Sequence, residues 1–389
     1  MMANFFLTSL AIVLILPVLF LLLQTLAAVF FAKSSTTTDK AERRPQLTVL
    51  MPAHNESLVI TQTLQSILPQ LSDEDQLLVV ADNCNDDTAL IARKLGANVI
   101  ERKNKLQRGK GYALDFGLQY LKDNPPKIVL IIDADCIVSN GTIDKLARAC
   151  IDNQCPIQAL YLMESQPNPS LKARIAVFAW IVKNKVRPLG SKALSLPCQL
   201  MGTGMAFLWG DIIKSNLASG HIVEDMKLGV DLTRANKPPL FLADALVTSI
   251  FPPTAEATNT QRARWEHGHL SVILNEAPSL LFEALKTKNI QMLGLACDLI
   301  VPPLAVLTLM CVALFVCSFM LSVQPALFIA SILLIALSGA ILLAWACYGR
   351  DIISFKQLCY APIYALIKIP LYIKFFLNRQ VEWVRSKRD

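Results

Sequence analysis

Long apolar runs stand at both ends of the chain, and the segment between them has a different texture. Residues 1–32 carry no charged side chain. That run is long enough to cross a bilayer with tilt. It has no basic start and is about twice the usual core of a secretory leader, so a membrane anchor is expected. Lys33, Lys40, Arg43 and Arg44 follow it, and the positive-inside rule then puts the next domain in the cytoplasm. Residues 289–348 hold one charge, Asp298, and Ser322-Val323-Gln324-Pro325 divides them into two expected spans joined by a short outer turn. Asp298 lies near a cytoplasmic end, where snorkelling or capping is favoured over a role inside the membrane. Residues 352–377 are apolar but interrupted by Pro362 and Pro370, with Lys368 and Lys374 among them. An interfacial hairpin is favoured there over a fourth span.

From about residue 46 to 249 the pattern is that of a water-soluble domain. LTVLM (47–51), QLLVVA (76–81) and KIVLIID (127–133) are short, apolar and β-branched, as buried parallel strands are. Helical spacing lies between them: Leu64, Ile67 and Leu68 share a face, and so do Leu114, Leu118 and Leu121. Strands alternating with helices predict a doubly wound α/β sheet, which binds ligands beyond the carboxyl ends of its strands. Residues 171–186 (LKARIAVFAWIVKNKV) fit an interfacial helix or an ordinary surface helix of that domain equally well, and 270–285 are a similar case.

Composition narrows the class. Of 389 residues, 53% are hydrophobic and 17% charged, against about 25% charged in soluble domains. A disordered chain, a collagen-like chain and a small disulfide scaffold are excluded. The formal charge is +7, an excess that suits cytoplasmic loops of a membrane protein. No basic block with interleaved aromatics points to nucleic acid. The ten cysteines are scattered without a Cys-x-x-Cys, and read as small buried hydrophobes in a reducing compartment.

Four groups of residues carry candidate chemistry. Pro52-Ala53-His54-Asn55-Glu56 follows the first strand, where a turn exposes backbone groups to a ligand. Asp82 ends the second strand, placed to hydrogen-bond a nucleoside, while Asp86, Asp87 and Thr88 suit the cap of the next helix. Asp133-Ala134-Asp135 ends the third. In extended chain these two carboxylates face the same side, and a divalent ion shared with a diphosphate would relieve their repulsion. The fourth group is split. Glu224-Asp225 opens a helical pattern, where capping explains the acids by themselves. Gln261, Arg264 and Trp265 lie about a turn apart, with arginine suited to phosphate and tryptophan to a sugar face. Lys110, in Arg108-Gly109-Lys110-Gly111, is either a phosphate contact or a surface lysine; this is no P-loop, because Gly111 replaces the Ser/Thr and the upstream glycine is missing.

In this order, and with Gly202-Thr203-Gly204-Met205 between the third and fourth groups, the motifs resemble those of family 2 glycosyltransferases of the membrane-embedded polysaccharide-synthase type, relatives of cellulose, hyaluronan and poly-N-acetylglucosamine synthases. The likeness runs from about residue 46 through Trp265, and Glu382-Trp383-Val384-Arg385 is similar to the ends of bacterial exopolysaccharide members. Two departures stand out: Val223 where the family often has Thr, and Ala81-Asp82-Asn83-Cys84 where many members have paired aspartates.

The resemblance implies a GT-A-like doubly wound sheet domain (46–268) inserted between an N-terminal transmembrane helix (1–32, then a basic linker 33–45) and C-terminal transmembrane or interfacial helices (269–288 interfacial, 289–348 spanning, 349–389 a last segment and basic tail). It implies an inverting, metal-dependent transfer from a nucleotide diphosphate sugar, UDP expected and GDP open. Pro52, Ala53, His54, Glu56, Asp82, Asp133, Lys110, Gln261 and Arg264 would bind the nucleotide. Asp133 and Asp135 would hold Mg²⁺ or Mn²⁺, and Asp225 would be the general base. Gly202, Thr203, Gly204, Met205, Glu224 and Trp265 would line the acceptor site. The implied partners are a nucleotide-sugar donor, a glycan or lipid-linked acceptor, membrane lipids and other polysaccharide-synthesis proteins, in a multi-pass inner-membrane setting with the catalytic domain cytoplasmic. A lipid glycosyltransferase acting on ceramide, diacylglycerol or polyprenyl phosphate is the alternative. A catalytically silent glycan-binding scaffold is the rival from another class.

Overall fold

A computed structural model describes residues 1–32, 44–165, 167–218, 223–251 and 255–377. Most of the expected basic linker and the tail motif 382–385 lie outside the described residues. The chain divides into two compact units, one of residues 34–166, 197–265 and 381–389, the other of 1–33, 167–196 and 266–380.

The first unit is built on an eight-stranded sheet. Its strands are β1 (Leu47–Ala53), β2 (Gln76–Asp82), β3 (Asn98–Arg102), β4 (Ile128–Ile131), β5 (Cys136–Val138), β6 (Ile157–Glu164), β7 (Met205–Leu208) and β8 (Leu240–Ile250), in the order β3-β2-β1-β4-β7-β6-β8-β5. The three apolar runs read from the sequence are β1, β2 and β4, and they are parallel neighbours. Beyond β4 the sheet becomes mixed: β7 runs antiparallel to both β4 and β6, and β5 is antiparallel to β8. Continuous apolar strands form here because both faces are covered. Leu50, Leu78, Val80, Val129, Ile131 and Phe207 meet Leu114, Leu118 and Leu121 of helix Lys110–Leu121 and Leu228 and Leu232 of helix Glu224–Arg234. Their strand neighbours Val49, Met51, Leu77, Val79, Ile128 and Leu130 are buried as well. β1, β2 and β4 therefore deliver their carboxyl ends, with Ala53, Asp82 and the chain after Ile131, to one edge of the sheet.

The second unit is helical. Helix Met2–Phe30, helix Gln324–Tyr348 and the segment Phe355–Phe375 are long and apolar enough to cross a membrane. A fourth candidate is the pair Ile290–Ile300 and Leu304–Met320, bent by 72°. The first of the two spans expected in 289–348 is thus broken at Val301-Pro302-Pro303, where proline lacks the N–H that would continue the helix. Segment 171–193 packs in this unit, so of its two readings it is not a surface helix of the sheet unit. Helix Leu171–Ile181 passes into a π-helical turn, Val182–Val186, and resumes as Arg187–Ala193.

Asp298 departs from the expected snorkelling or capping role. It is 5% exposed, pairs with Arg187 Nη2 at 2.8 Å and accepts from Gln24 Nε2 at 2.7 Å, which also donates to Ser191 Oγ at 2.9 Å. Three helices thereby share one buried polar cluster, as a charge inside an apolar unit requires. The ten cysteines form no disulfide, and Cys317, Cys347 and Cys359 are exposed rather than buried as expected.

Candidate active site

The ends of β1 and β2 are tied into one rim. His54 Nδ1 lies 2.6 Å from Asp82 O, and Asn85 N donates to Asn55 Oδ1. Ser57 N donates to Asp86 Oδ2 and Glu56 N to Thr88 Oγ1, so Asp86 and Thr88 clamp the Pro52–Glu56 turn as well as starting helix Thr88–Lys94. The cap residue Asp87 makes no side-chain cap bond. Pro52 and Ala53 are the last residues of β1, and Ala53 is 3% exposed, which limits it to backbone contacts.

Asp82 is buried and paired with a residue absent from the sequence reading. Arg102 Nη1 lies 2.7 Å from Asp82 Oδ1 across the β2–β3 register, and both side chains are 8% exposed. Arg102 also donates to Gln107 O and lies 5.6 Å over the Tyr112 ring. The signal for Arg102 was NVIER (98–102), an edge strand whose half-polar texture hides it.

The carboxylate pair is displaced from its expected geometry. β4 ends at Ile131, and Cys136 N donates to Asp133 O, so Asp133 to Asp135 form a turn rather than extended chain. Asp133 N donates to Thr203 Oγ1 at 3.1 Å. Asp133 Oδ1 lies 2.5 Å from Lys110 Nζ, which also donates to Gly202 O at 2.7 Å. Lys110 is therefore no free surface lysine: it starts helix Lys110–Leu121 at the centre of the site. A Cβ placed on Gly202 would stand 3.3 Å from Asp225 Oδ2 and 3.5 Å from Lys110 Nζ, so the Asp225 carboxylate belongs to the same cluster. Asp225 Oδ1 accepts from Met226 N at the start of helix Glu224–Arg234, as a first-turn acid does.

The electrostatics agree with this convergence. Burial works against the Lys110 ammonium, but Asp133, Glu224 and Asp225 outweigh it and hold its pKa above the usual lysine value. Burial lifts Glu224 to about 7, with Lys110 opposing and Asp225 adding to the rise. Burial lowers Arg264, while Glu224, Asp133 and Glu56 pull it back. Helix Ala255–Asn275 thus brings Arg264 within the field of those three carboxylates. On the same helix Gln261 is 5% exposed and its Oε1 has no hydrogen-bond partner among the described residues. Trp265 follows Arg264 at partial exposure.

The expected acceptor loop divides. Gly202 touches the cluster, and Thr203, 1% exposed, supports Asp133 from beneath. Gly204 is structural: its φ is +64° and a Cβ there would come within 2.9 Å of Ala159 Cβ. Met205 is a correction. It lies in β7 opposite Ile131, is 2% exposed and packs in the apolar core, so it cannot line an acceptor site.

No group of three or more His, Cys, Asp or Glu side chains among the described residues could hold a metal alone. Mg²⁺ and Mn²⁺, however, commonly bind one or two carboxylates and complete their shell with substrate phosphates. Asp133 Oδ1 is buried, and among the described residues the Lys110 ammonium meets its charge. An acceptor-rich partial ligand set of this kind fits a hard divalent ion shared with a diphosphate.

A family model described as glycosyltransferase like family 2 matches residues 45–268. Over 214 residues the chain is 27% identical to 4,4'-diaponeurosporenoate glycosyltransferase of Staphylococcus haemolyticus, covering 51% of this chain and 54% of that protein. It is 25% identical over 263 residues to the probable glycosyltransferase YdaM of Bacillus subtilis, covering 61% and 58%. The matches span little more than half the length of these relatives. The mannosyltransferase PcManGT from Pyrobaculum calidifontis, solved with GDP-Man and Mn²⁺, superimposes with a TM-score of 0.57 over 96% of this chain and all of that one, at 15% identity. That likeness is one of fold.

Proposed function

The chain belongs to the glycosyltransferase like family 2, and on that premise we propose that it is a membrane-bound, inverting glycosyltransferase of the polysaccharide-synthase type. It moves a sugar from a nucleotide diphosphate donor to a growing glycan or a lipid-linked acceptor at the inner membrane, with the sheet unit in the cytoplasm. The observation that carries the proposal is the convergence of Asp133, Lys110, Gly202 and Asp225 beyond the carboxyl ends of the strands.

In this reading the Pro52–Glu56 turn and Asp82 receive the nucleoside, and Arg102 holds the Asp82 carboxylate in one orientation. Lys110 and Arg264 meet diphosphate charge, and Gln261 offers its buried amide. Asp225 accepts the proton of the attacking acceptor hydroxyl, a role typically worth 10²–10⁴-fold. Glu224, whose proton is held more tightly than in an ordinary carboxyl because of its burial, can hydrogen-bond the acceptor, and Trp265 gives a sugar ring a face to stack on. Asp133 and Asp135 would hold Mg²⁺ or Mn²⁺, a Lewis acid that stabilises charge on the leaving diphosphate. Until donor phosphates arrive, the Lys110 ammonium neutralises Asp133, so the carboxylate stays ordered without being left as a bare buried charge.

A lipid acceptor is the second reading, favoured by the size of the apolar helical unit and by the relative that glycosylates 4,4'-diaponeurosporenoate. The test is a screen of UDP- and GDP-sugars with the detergent-purified chain, Mn²⁺ and membrane lipid extract, with products weighed by mass spectrometry. A ladder of sugar additions supports the polymer reading, and one sugar on an extracted lipid supports the second. Release of no nucleotide from any donor refutes both.

A further inference from the structure

The turn that follows β3 points a leucine into open solvent and holds it there. Leu106 is 97% exposed. Asn104 Oδ1 accepts from Leu106 N and from Gln107 N, both at 3.0 Å, and Asn104 N donates to Asn83 Oδ1 at 2.8 Å. Arg102 Nη1 donates to Gln107 O at 2.8 Å and closes the turn from its other side. A single exposed leucine is ordinary on a protein surface. This one stands in a hydrogen-bonded turn between Lys105 and Arg108, both exposed. Neither of these cations has an ion pair or a hydrogen bond among the described residues. Lys103 lines a cleft with Glu101 and Asp115, whose carboxylates offset it, so the uncompensated charge is that of Lys105 and Arg108.

Topology gives this turn its setting. β3 is parallel to β2, so residues 103–108 leave the sheet at the same edge as Ala53 and Asp82. A second outward leucine stands at that edge: Leu58, 71% exposed, in the turn after β1 that Ser57 N fixes by donating to Asp86 Oδ2. β6 and β8 end at this edge and β7 begins there, because β7 is antiparallel to β4 and β6 while β8 is parallel to β6. Residues 167–196 join β6 to β7, the chain from 266 onward follows β8, and both stretches belong to the helical unit. The covalent path to the apolar helices therefore runs from the edge that carries Leu106. For a domain tethered in this way a weak surface contact becomes intramolecular, at a raised effective concentration. Cations beside outward apolar side chains suit a surface that is negative at its face and hydrocarbon beneath.

We propose that the turn 103–108 docks on an anionic bilayer, with Lys105 and Arg108 at the lipid headgroups and Leu106 inserted below them. The hydrogen bonds from Asn104 and Arg102 present the leucine ready for insertion, so little ordering is left for the contact itself. This docking rests on the reading that the helical unit lies in a membrane, and it is independent of which sugar, if any, the sheet unit transfers.

The test places the photo-crosslinker p-benzoylphenylalanine at Leu106 of the full chain. The protein is reconstituted in nanodiscs of dioleoylphosphatidylcholine, with or without dioleoylphosphatidylglycerol, and lipid adducts are read by mass spectrometry. We expect adducts at position 106 in the discs with phosphatidylglycerol, about fivefold or more above those in phosphatidylcholine alone, and fewer at raised salt. The same probe at Asp123, in the turn before β4 at the opposite edge of the sheet, should give none. One basic side chain near a charged membrane is worth about fivefold, so K105Q/R108Q should cut the yield at position 106 by about fivefold or more, while K105R/R108K keeps it. At Phe328, 69% exposed in the candidate span Gln324–Tyr348, the probe should label lipid in both discs. If it does not, the membrane reading fails and the docking with it. If Phe328 labels lipid but Leu106 gives none, or gives equal adducts in both discs, or a peptide adduct instead, the docking alone is overturned. An unchanged yield from K105Q/R108Q, or loss of the adducts on adding free nucleoside diphosphate, would likewise overturn it.

Discussion

Replacing Arg102 by methionine strips the countercharge from a largely buried carboxylate. Asp82 and Arg102 are each 8% exposed at the side chain and 2.7 Å apart. Removing one partner of a buried pair costs about 3–5 kcal/mol, because the other charge is left uncompensated. Asn83 Nδ2 also donates to Asp82 Oδ1 at 2.9 Å, which softens the loss and favours the lower figure. For a domain of this size each kcal/mol moves the melting temperature by roughly 2–4 °C, so R102M should melt about 6–12 °C below the parent. D82N should cost less, since Arg102 keeps Gln107 O and the Tyr112 ring. The decisive variant is D82N/R102M, which has no buried charge to strand and should recover half or more of the R102M loss. The assay is thermal unfolding of the detergent-purified chain followed by intrinsic fluorescence, with all four members of the cycle at one pH. If the two single losses add in the double variant to within about 0.5 kcal/mol, the pair is uncoupled and the reasoning fails.

Other consequences can be checked separately. A Cβ at Gly190 would stand 2.0 Å from Gln24 O, so G190A should force helix Met2–Phe30 away and lower the melting temperature by several degrees, while G339A, with open space around it, should not. Glu224 binds its proton more tightly in the folded chain, at about 7 against the usual 4.5. Its contribution to stability is therefore present below pH 4.5 and lost as pH rises through 7; the parent should lose more melting temperature between pH 5 and 8 than E224Q, and equal losses would show that Glu224 is not buried beside Asp225. Chelation with EDTA, or D133N, should abolish nucleotide release while leaving the fold intact by circular dichroism, and activity surviving both would remove the metal from the account.

The sequence exposed what its texture carries directly. The three continuous apolar runs are β1, β2 and β4 because strands buried on both faces have no polar positions to disguise them. β3 and β7 escaped for opposite reasons: β3 is a half-polar edge strand, and β7 is only four residues long. The site motifs were visible as residue types, but their partnerships were not. Arg102 meets Asp82, and Lys110 meets Asp133, over separations of 20 residues or more, which no local pattern encodes. Met205 departs from the expected acceptor role because the motif ends one residue into a strand, where alternate side chains turn to the core. Asp298 looked like a terminal cap because its partners Arg187 and Gln24 come from distant parts of the chain.

In the proposed reaction Asp225 takes a proton rather than holding the donor. Once the screen has named a donor, its binding and its transfer should be measured side by side for the parent chain and D225N. D225N should bind the donor within about threefold of the parent and transfer sugar about 10²–10⁴-fold more slowly. Transfer by D225N at the parent rate would contradict that role.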